Sequence, residues 1–122
     1  MIADDDESVG AALVELIHSQ PDLAFAGFAF DADSAIELAL VEQPDVAIVD
    51  VRMPGGGGVN ATIGIKESSP GTGVIGFSAD SDEPVRAAMT AAGASGFLVK
   101  GAAIEVILET VRAVARNSSD QR

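Results

Sequence analysis

Pro44-Asp45-Val46-Ala47-Ile48-Val49-Asp50-Val51-Arg52-Met53-Pro54-Gly55 is the stretch on which the reading of this chain turns. Val46 to Val49 is an unbroken apolar run, the pattern of a strand covered on both faces. Pro44 stops whatever helix precedes it, because the residue before a proline is driven out of helical dihedrals. An aspartate closes the run, and Pro54 with Gly55 to Gly58 forms a loop, expected to be mobile because glycine loses most backbone freedom on ordering.

Working outward, the same grammar repeats. Pro70 and Gly71 turn the chain into Val74-Ile75-Gly76-Phe77, and Gly96-Phe97-Leu98-Val99 is a further strand. Upstream, Leu23 to Phe28 reads as a strand and Met1-Ile2-Ala3 as a short first one. Helical spacing fills the gaps. Val9, Leu13, Leu16 and Ile17 mark the first helix, which ends at His18. Ile36, Leu38, Leu40 and Val41 mark a second, capped by Asp31 or Asp33. A weaker helix spans 59–67. Another starts at Ser81 or Asp82 with Pro84 in its first turn and ends at Gly93. Ile104, Ile107, Leu108 and Val111 form the apolar stripe of the last. Five strand–helix alternations predict an α/β doubly wound fold with a parallel sheet and helices on both faces.

The first strand is short for one expected near the sheet centre, so a trimmed or misassigned start is expected there. With 122 residues the chain makes one domain, here 1–116, followed by a polar tail, 117–122. No apolar run is long enough to span a bilayer and the start is acidic rather than basic, so the expected location is cytoplasmic. The absence of cysteine removes thiolate metal sites and a catalytic thiol, and one histidine excludes a multi-histidine metal site. A formal net charge of −12 disfavours direct nucleic-acid binding.

Ligands of such sheets bind beyond the carboxyl ends of the strands. Those ends carry Asp4, Asp5 and Asp6, then Asp50, then Ser78, then Lys100. In a parallel sheet they share one edge. Clustered carboxylates repel one another, and a hard divalent cation such as Mg²⁺ relieves that repulsion while keeping coordination sites for water or phosphate. A lysine supplies a point charge for a phosphoryl oxygen, a serine hydroxyl a hydrogen bond, and a remaining aspartate a nucleophile, since carboxylates form acyl phosphates.

On Ile2-Ala3-Asp4-Asp5, the stretch from Pro44 to Gly55, Val74-Ile75-Gly76-Phe77-Ser78-Ala79 and Gly93-Ala94-Ser95-Gly96-Phe97-Leu98-Val99-Lys100, the chain resembles the receiver domains of two-component response regulators. The resemblance covers nearly the whole chain. It implies a flavodoxin-like, five-stranded sheet of order 2-1-3-4-5, and phosphorylation of Asp50 by a sensor histidine kinase. It implies Mg²⁺ held by Asp4, Asp5, Asp50 and the carbonyl of Arg52. Ser78 and Lys100 would bind the phosphoryl group, with Ser78 and Phe97 as switch residues and Arg52 and Asp80 tuning dephosphorylation. The acidic pair can be read as Asp4-Asp5 or Asp5-Asp6; the first is preferred because Val9, Leu13 and Leu16 then fall where the first helix needs them. Gly101 stands where many relatives carry a proline after a cis bond. The ending Gly96-Phe97-Leu98-Val99-Lys100 suggests regulators with a helix-turn-helix output domain, which this chain lacks. The surface of helix four, strand five and helix five would meet partners, and Val106, Thr110 and Val114, off the core stripe, are candidates for a homodimer contact.

Two other functions compete. A Mg²⁺-dependent phosphatase with Asp50 as nucleophile would often carry an aspartate two residues on, where Arg52 stands. A degenerate receiver acting as a docking module would not need the complete acidic, hydroxyl and lysine set. Gly71-Thr72-Gly73-Val74-Ile75-Gly76 matches a dinucleotide fingerprint literally but runs into a strand instead of opening a helix, so it is read as a turn. Asn60-Ala61-Thr62 and Asn117-Ser118-Ser119 match glycosylation acceptors with no export signal to make them relevant. His18 has no partner motif and is read as a surface residue.

Overall fold

A computed structural model describes residues 1–79 and 83–120. The elements are β1 (Ile2–Ala3), α1 (Glu7–His18), β2 (Phe28–Ala29), α2 (Ala32–Glu42), β3 (Val46–Asp50), α3 (Gly57–Ser68), β4 (Gly73–Ser78), α4 (Glu83–Ala92), β5 (Ala94–Val99) and α5 (Ile104–Asp120). They build one parallel sheet of order β2-β1-β3-β4-β5. The expected doubly wound architecture and strand order are both observed.

Two apolar layers sandwich the sheet. One joins Ile2, Ile48, Ile75, Phe77 and Leu98 to Leu13 of α1 and to Val111 and Val114 of α5. The other is rich in alanine: Ala3, Ala29 and Ala47 of the strands meet Ala32, Ala35 and Ala39 of α2, with Ala61 and Ile65 of α3. Small side chains let α2 sit close to its neighbours. The expected stripe of α2 is corrected accordingly. Leu40 and Val41 are 57% and 71% exposed, because the alanines at i, i+3 and i+7 occupy the buried face. Asp31, not Asp33, caps the helix, accepting from the Ser34 amide at 2.8 Å.

β1 is short as a ladder, but its neighbours hold four consecutive residues in place. The Met1 nitrogen donates to the Val46 carbonyl at 2.8 Å, Ile48 donates to the Met1 carbonyl, and the Ile2 and Asp4 amides donate to Gly27 and Ala29. β2 is shorter than expected. Leu23 and Phe25 pack against the α1–α5 layer without joining the ladder, and only Phe28 and Ala29 pair with β1.

Further corrections fall on α5. Val114 is core, 5% exposed, and a Cβ added at Gly73 would come within 2.3 Å of its side chain. Leu108, Val111 and Val114 continue one helical stripe, which removes Val114 from the dimer candidates. Ile104 is 56% exposed and falls outside the buried stripe. Val106 is exposed as expected, and Thr110 is partly so. The polar stretch expected as a tail is helical through Asp120, and Ser118 is buried with its hydroxyl donating to the Gly71 carbonyl.

The four-glycine run is structured at its end. Gly55, Gly56 and Gly57 have φ of +89°, +101° and +76°, values that L side chains rarely adopt, while Gly57 and Gly58 begin α3. Gly71 to Gly73 is a turn entering β4, with Thr72 donating to Ser69 and Gly73 to Asp45. All described peptide bonds are trans, including the one before Gly101. The α4 start expected at Ser81 or Asp82 lies outside the described residues. His18 ends α1 exposed, edge-on to Phe25.

Candidate functional site

Register builds the site. Ala3 pairs with Val49, Asp50 with Phe77, and Ser78 with Val99. The next residue along β1, Asp4, therefore stands beside Asp50, and Lys100 follows directly on β5. The Lys100 amide donates to the Ser78 carbonyl at 2.7 Å, which ties the ends of β4 and β5 together.

Backbone amides fix two of the carboxylates. Asp4 is fully buried; its Oδ1 accepts from the Asp6 amide at 2.8 Å. Asp6 turns outward and caps α1, accepting from Ser8 at 2.9 Å and Val9 at 3.4 Å. That role takes Asp6 out of the acidic pair and leaves Asp4 and Asp5. Asp50 is 4% exposed, and its Oδ1 accepts from the Arg52 amide at 3.1 Å. Lys100 Nζ lies 3.3 Å from Asp4 Oδ2 and 3.5 Å from Asp50 Oδ2, and 5.5 Å from the centre of the Phe77 ring.

Charge is unbalanced here. Carboxylate oxygens of Asp4, Asp5 and Asp50 lie within 4.8 Å of one another, and the Lys100 ammonium lies against two of them. Asp4 Oδ2 is buried with no hydrogen bond; Lys100 is near it without the alignment of one. Burial, reinforced by the charge of Asp4, pushes the Asp50 carboxyl up to about 6, against the Arg52 amide and Lys100, which act the other way. For Lys100, burial works to lower the pKa, but Asp50 and Asp4 together outweigh it and hold the ammonium above its ordinary value. An all-oxygen donor set with excess negative charge and an unsatisfied buried oxygen fits a hard divalent cation.

The expected residues divide clearly. Asp4, Asp5, Asp50 and Lys100 come together, and Ser78 stands at the adjoining strand end, partly exposed. Arg52 is exposed on the loop, its amide on Asp50. Phe97 is not in the cluster. Its ring lies over Gly76, next to Met89 of α4, with the Arg86 guanidinium carbon 4.7 Å from the ring centre. Asp80 lies outside the described residues. Sequence reasoning missed Gly58, where a Cβ would come within 2.6 Å of the Asp50 carbonyl and 2.7 Å of Val51 Cα. The glycine run fits a loop and a close backbone approach equally well.

A five-stranded parallel sheet with this acidic edge and its lysine defines a CheY-like signalling fold. The family model described as "Response regulator receiver domain" matches residues 1–112, and the chain belongs to that family. Among curated relatives, it is 30% identical over 114 residues to the response regulator GacA of Pseudomonas aeruginosa, covering 93% of this chain and 53% of that one. It is 33% identical over 119 residues to the transcriptional regulatory protein YxjL of Bacillus subtilis, covering 97% and 54%. The chain thus spans about half the length of the curated relatives it matches. Among solved structures, the response regulator domain of Thermotoga maritima CheB superposes with a TM-score of 0.86 at 29% identity, covering 94% of this chain and 93% of that one. The receiver domain of the response regulator NarL from Mycobacterium tuberculosis gives 0.88 at 28%, with the same coverages. Among the described residues no helix is long and apolar enough to cross a membrane.

Proposed function

We propose that this chain is a phosphorylation-driven switch in which Asp50 accepts a phosphoryl group from a sensor histidine kinase. A carboxylate oxygen of Asp50 attacks phosphorus in line, the phosphorus–nitrogen bond of the donor phosphohistidine breaks, and its electron pair returns to the imidazole. Water later hydrolyses the acyl phosphate and restores the carboxylate, so the chain turns over nothing but its own phosphoryl group. Mg²⁺ would be held by Asp4, Asp5, Asp50 and the Arg52 carbonyl; when bound, it neutralises charge on the phosphoryl oxygens. Lys100 lies beside Asp50 and supplies a second positive charge to the incoming oxygens. Ser78 offers a hydroxyl from the next strand end, and Arg52 and Asp80, each two positions beyond a site residue in sequence, would tune dephosphorylation.

The observation that carries this reading is the Lys100 ammonium shared between Asp4 and Asp50 beside a buried carboxylate oxygen with no hydrogen bond. Phosphorylation adds charge and strong acceptors at Asp50. We infer that Ser78 and Phe97 carry the change to the α4–β5–α5 surface, where Val99, Ile104 and Val106 are exposed apolar residues suited to a second copy or a partner. A helix-turn-helix output domain outside this chain, in the cytoplasm, is the proposed recipient.

Acetyl phosphate with Mg²⁺, followed by intact-mass measurement, tests the reading. The expected result is the mass gain of one phosphoryl group, lost on chelation and in Asp50→Ala. Turnover of external phosphomonoesters would indicate a phosphatase. Partner binding with no response to Mg²⁺ or beryllofluoride would indicate a docking module.

A further inference from the structure

Phe97 sits in a notch with two walls. β4 carries side chains at Val74, Ile75 and Phe77 but none at Gly76. A Cβ at Gly76 would stand 2.7 Å from Phe97 Cε1 and 3.3 Å from Met89 Cε, so the ring fills the space that a side chain there would take. Met89 is fully buried, with its Sδ 3.8 Å from the Thr62 hydroxyl oxygen. Thr62 donates its proton to the Gly58 carbonyl at 2.7 Å, and Gly58 packs on the backbone of Asp50 and Val51. On the other side, the Arg86 guanidinium lies over the ring.

We propose that Arg86 is a latch that holds the Phe97 ring in the Gly76 notch in the resting chain, and so opposes the switch that phosphorylation drives. This rests on reading Asp50 as the phosphoacceptor. Arg86 is on α4 and Phe97 on β5, so their contact exists only in one placement of the helix against the strand. A contact made in one of two states biases the equilibrium by its own strength and no more. For a half-exposed cation–π pair, that corresponds to roughly a two- to fivefold change in population. The packed line from Asp50 through Gly58 and Thr62 to Met89 gives the site a physical route to the inner wall of the same notch.

The three methionines, Met1, Met53 and Met89, make the test direct. With ¹³C-ε-methionine labelling, the whole chain is titrated with beryllofluoride in Mg²⁺. Met53, three residues after Asp50, reports the adduct, and Met89 reports the ring through its ring current. In wild type both methyls should shift. Arg86→Gln should lower the half-saturating beryllofluoride concentration two- to fivefold. Its ligand-free Met89 resonance should move partway toward the adduct position, with Arg86→Lys between the two. A merely structural contact would lower the melting temperature without tightening the response. Unchanged or weaker binding in Arg86→Gln overturns the latch, as does a Met53 shift without a Met89 shift. If Met53 does not respond, the phosphoacceptor reading fails, and the latch with it.

Discussion

Asp50 is caught between burial and partners. A group whose folded pKa is raised contributes stability below its unfolded pKa and loses it as pH rises through the folded value. For Asp50 that window runs from the ordinary carboxylate value of 3.8 up to about 6. The metal-free chain therefore holds an ionised Asp50 at a cost of about 3 kcal/mol at most at neutral pH. Asp50→Asn keeps the acceptor for the Arg52 amide and removes the charge. It is expected to stabilise the chain by roughly 1–3 kcal/mol above about pH 7 and by almost nothing near pH 4. Urea unfolding in a chelator across that range checks this, and a stabilisation that does not depend on pH would sink it. Lys100→Met is the opposite case. It leaves Asp4 and Asp50 buried without their counter-charge, and should cost about 3 kcal/mol at neutral pH. The loss should shrink as Asp50 takes up a proton below about 6, measured in the same way.

Among the elements, α3 bears most directly on the site, because it starts against the backbone of the strand that carries Asp50. The three atoms nearest a Cβ at Gly58 all belong to main chain, the Asp50 carbonyl oxygen and carbon and Val51 Cα, and none can move aside as a flexible side chain would. Gly58→Ala is expected to destabilise by about 2 kcal/mol or more through overpacking, with weaker beryllofluoride binding as Asp50 is displaced. Wild-type denaturation midpoint and affinity in this variant would show that α3 is not seated as described. α2 is built differently: Ala32, Ala35 and Ala39 bring it close, while Leu40 and Val41 face outward. A pattern of large apolar residues marks a helix correctly without marking its buried face, because alanine also buries and permits closer approach.

For the whole molecule, a formal net charge of −12 on 122 residues makes the folded chain repel itself. Added KCl should raise the melting temperature by screening. Mg²⁺ at matched ionic strength should raise it further, since a ligand bound only by the native state adds about 1.4 kcal/mol per tenfold excess over its Kd. Asp50→Ala should lose most of that extra increment. Equal effects of Mg²⁺ and K⁺ at matched ionic strength would count against a specific cation site at Asp4, Asp5 and Asp50.

The alternation of apolar runs with helical spacing was enough to place β3, β4 and β5 and all five helices: β3 and β4, covered on both faces, are unbroken apolar runs, and edge strand β5 is a short apolar run just after the glycine that ends α4. The convergence of Asp4, Asp50 and Lys100 followed from topology alone, since parallel strands end on one edge. Edge strand β2 was overread because Leu23 and Phe25 are apolar for packing rather than for pairing. The glycine run hinted at Gly58 without naming its neighbour, and Arg86 was illegible, because their roles depend on contacts between different elements, with Asp50 and Phe97.

Residue order by itself determined the fold class and which side chains share the acidic edge, for both depend on local periodicity and chain direction. Only the folded chain decided which aspartate caps α1, which face of α2 is buried, and what grips the Phe97 ring. Those depend on register and on distances of a few ångströms between elements, which no pattern along one chain contains.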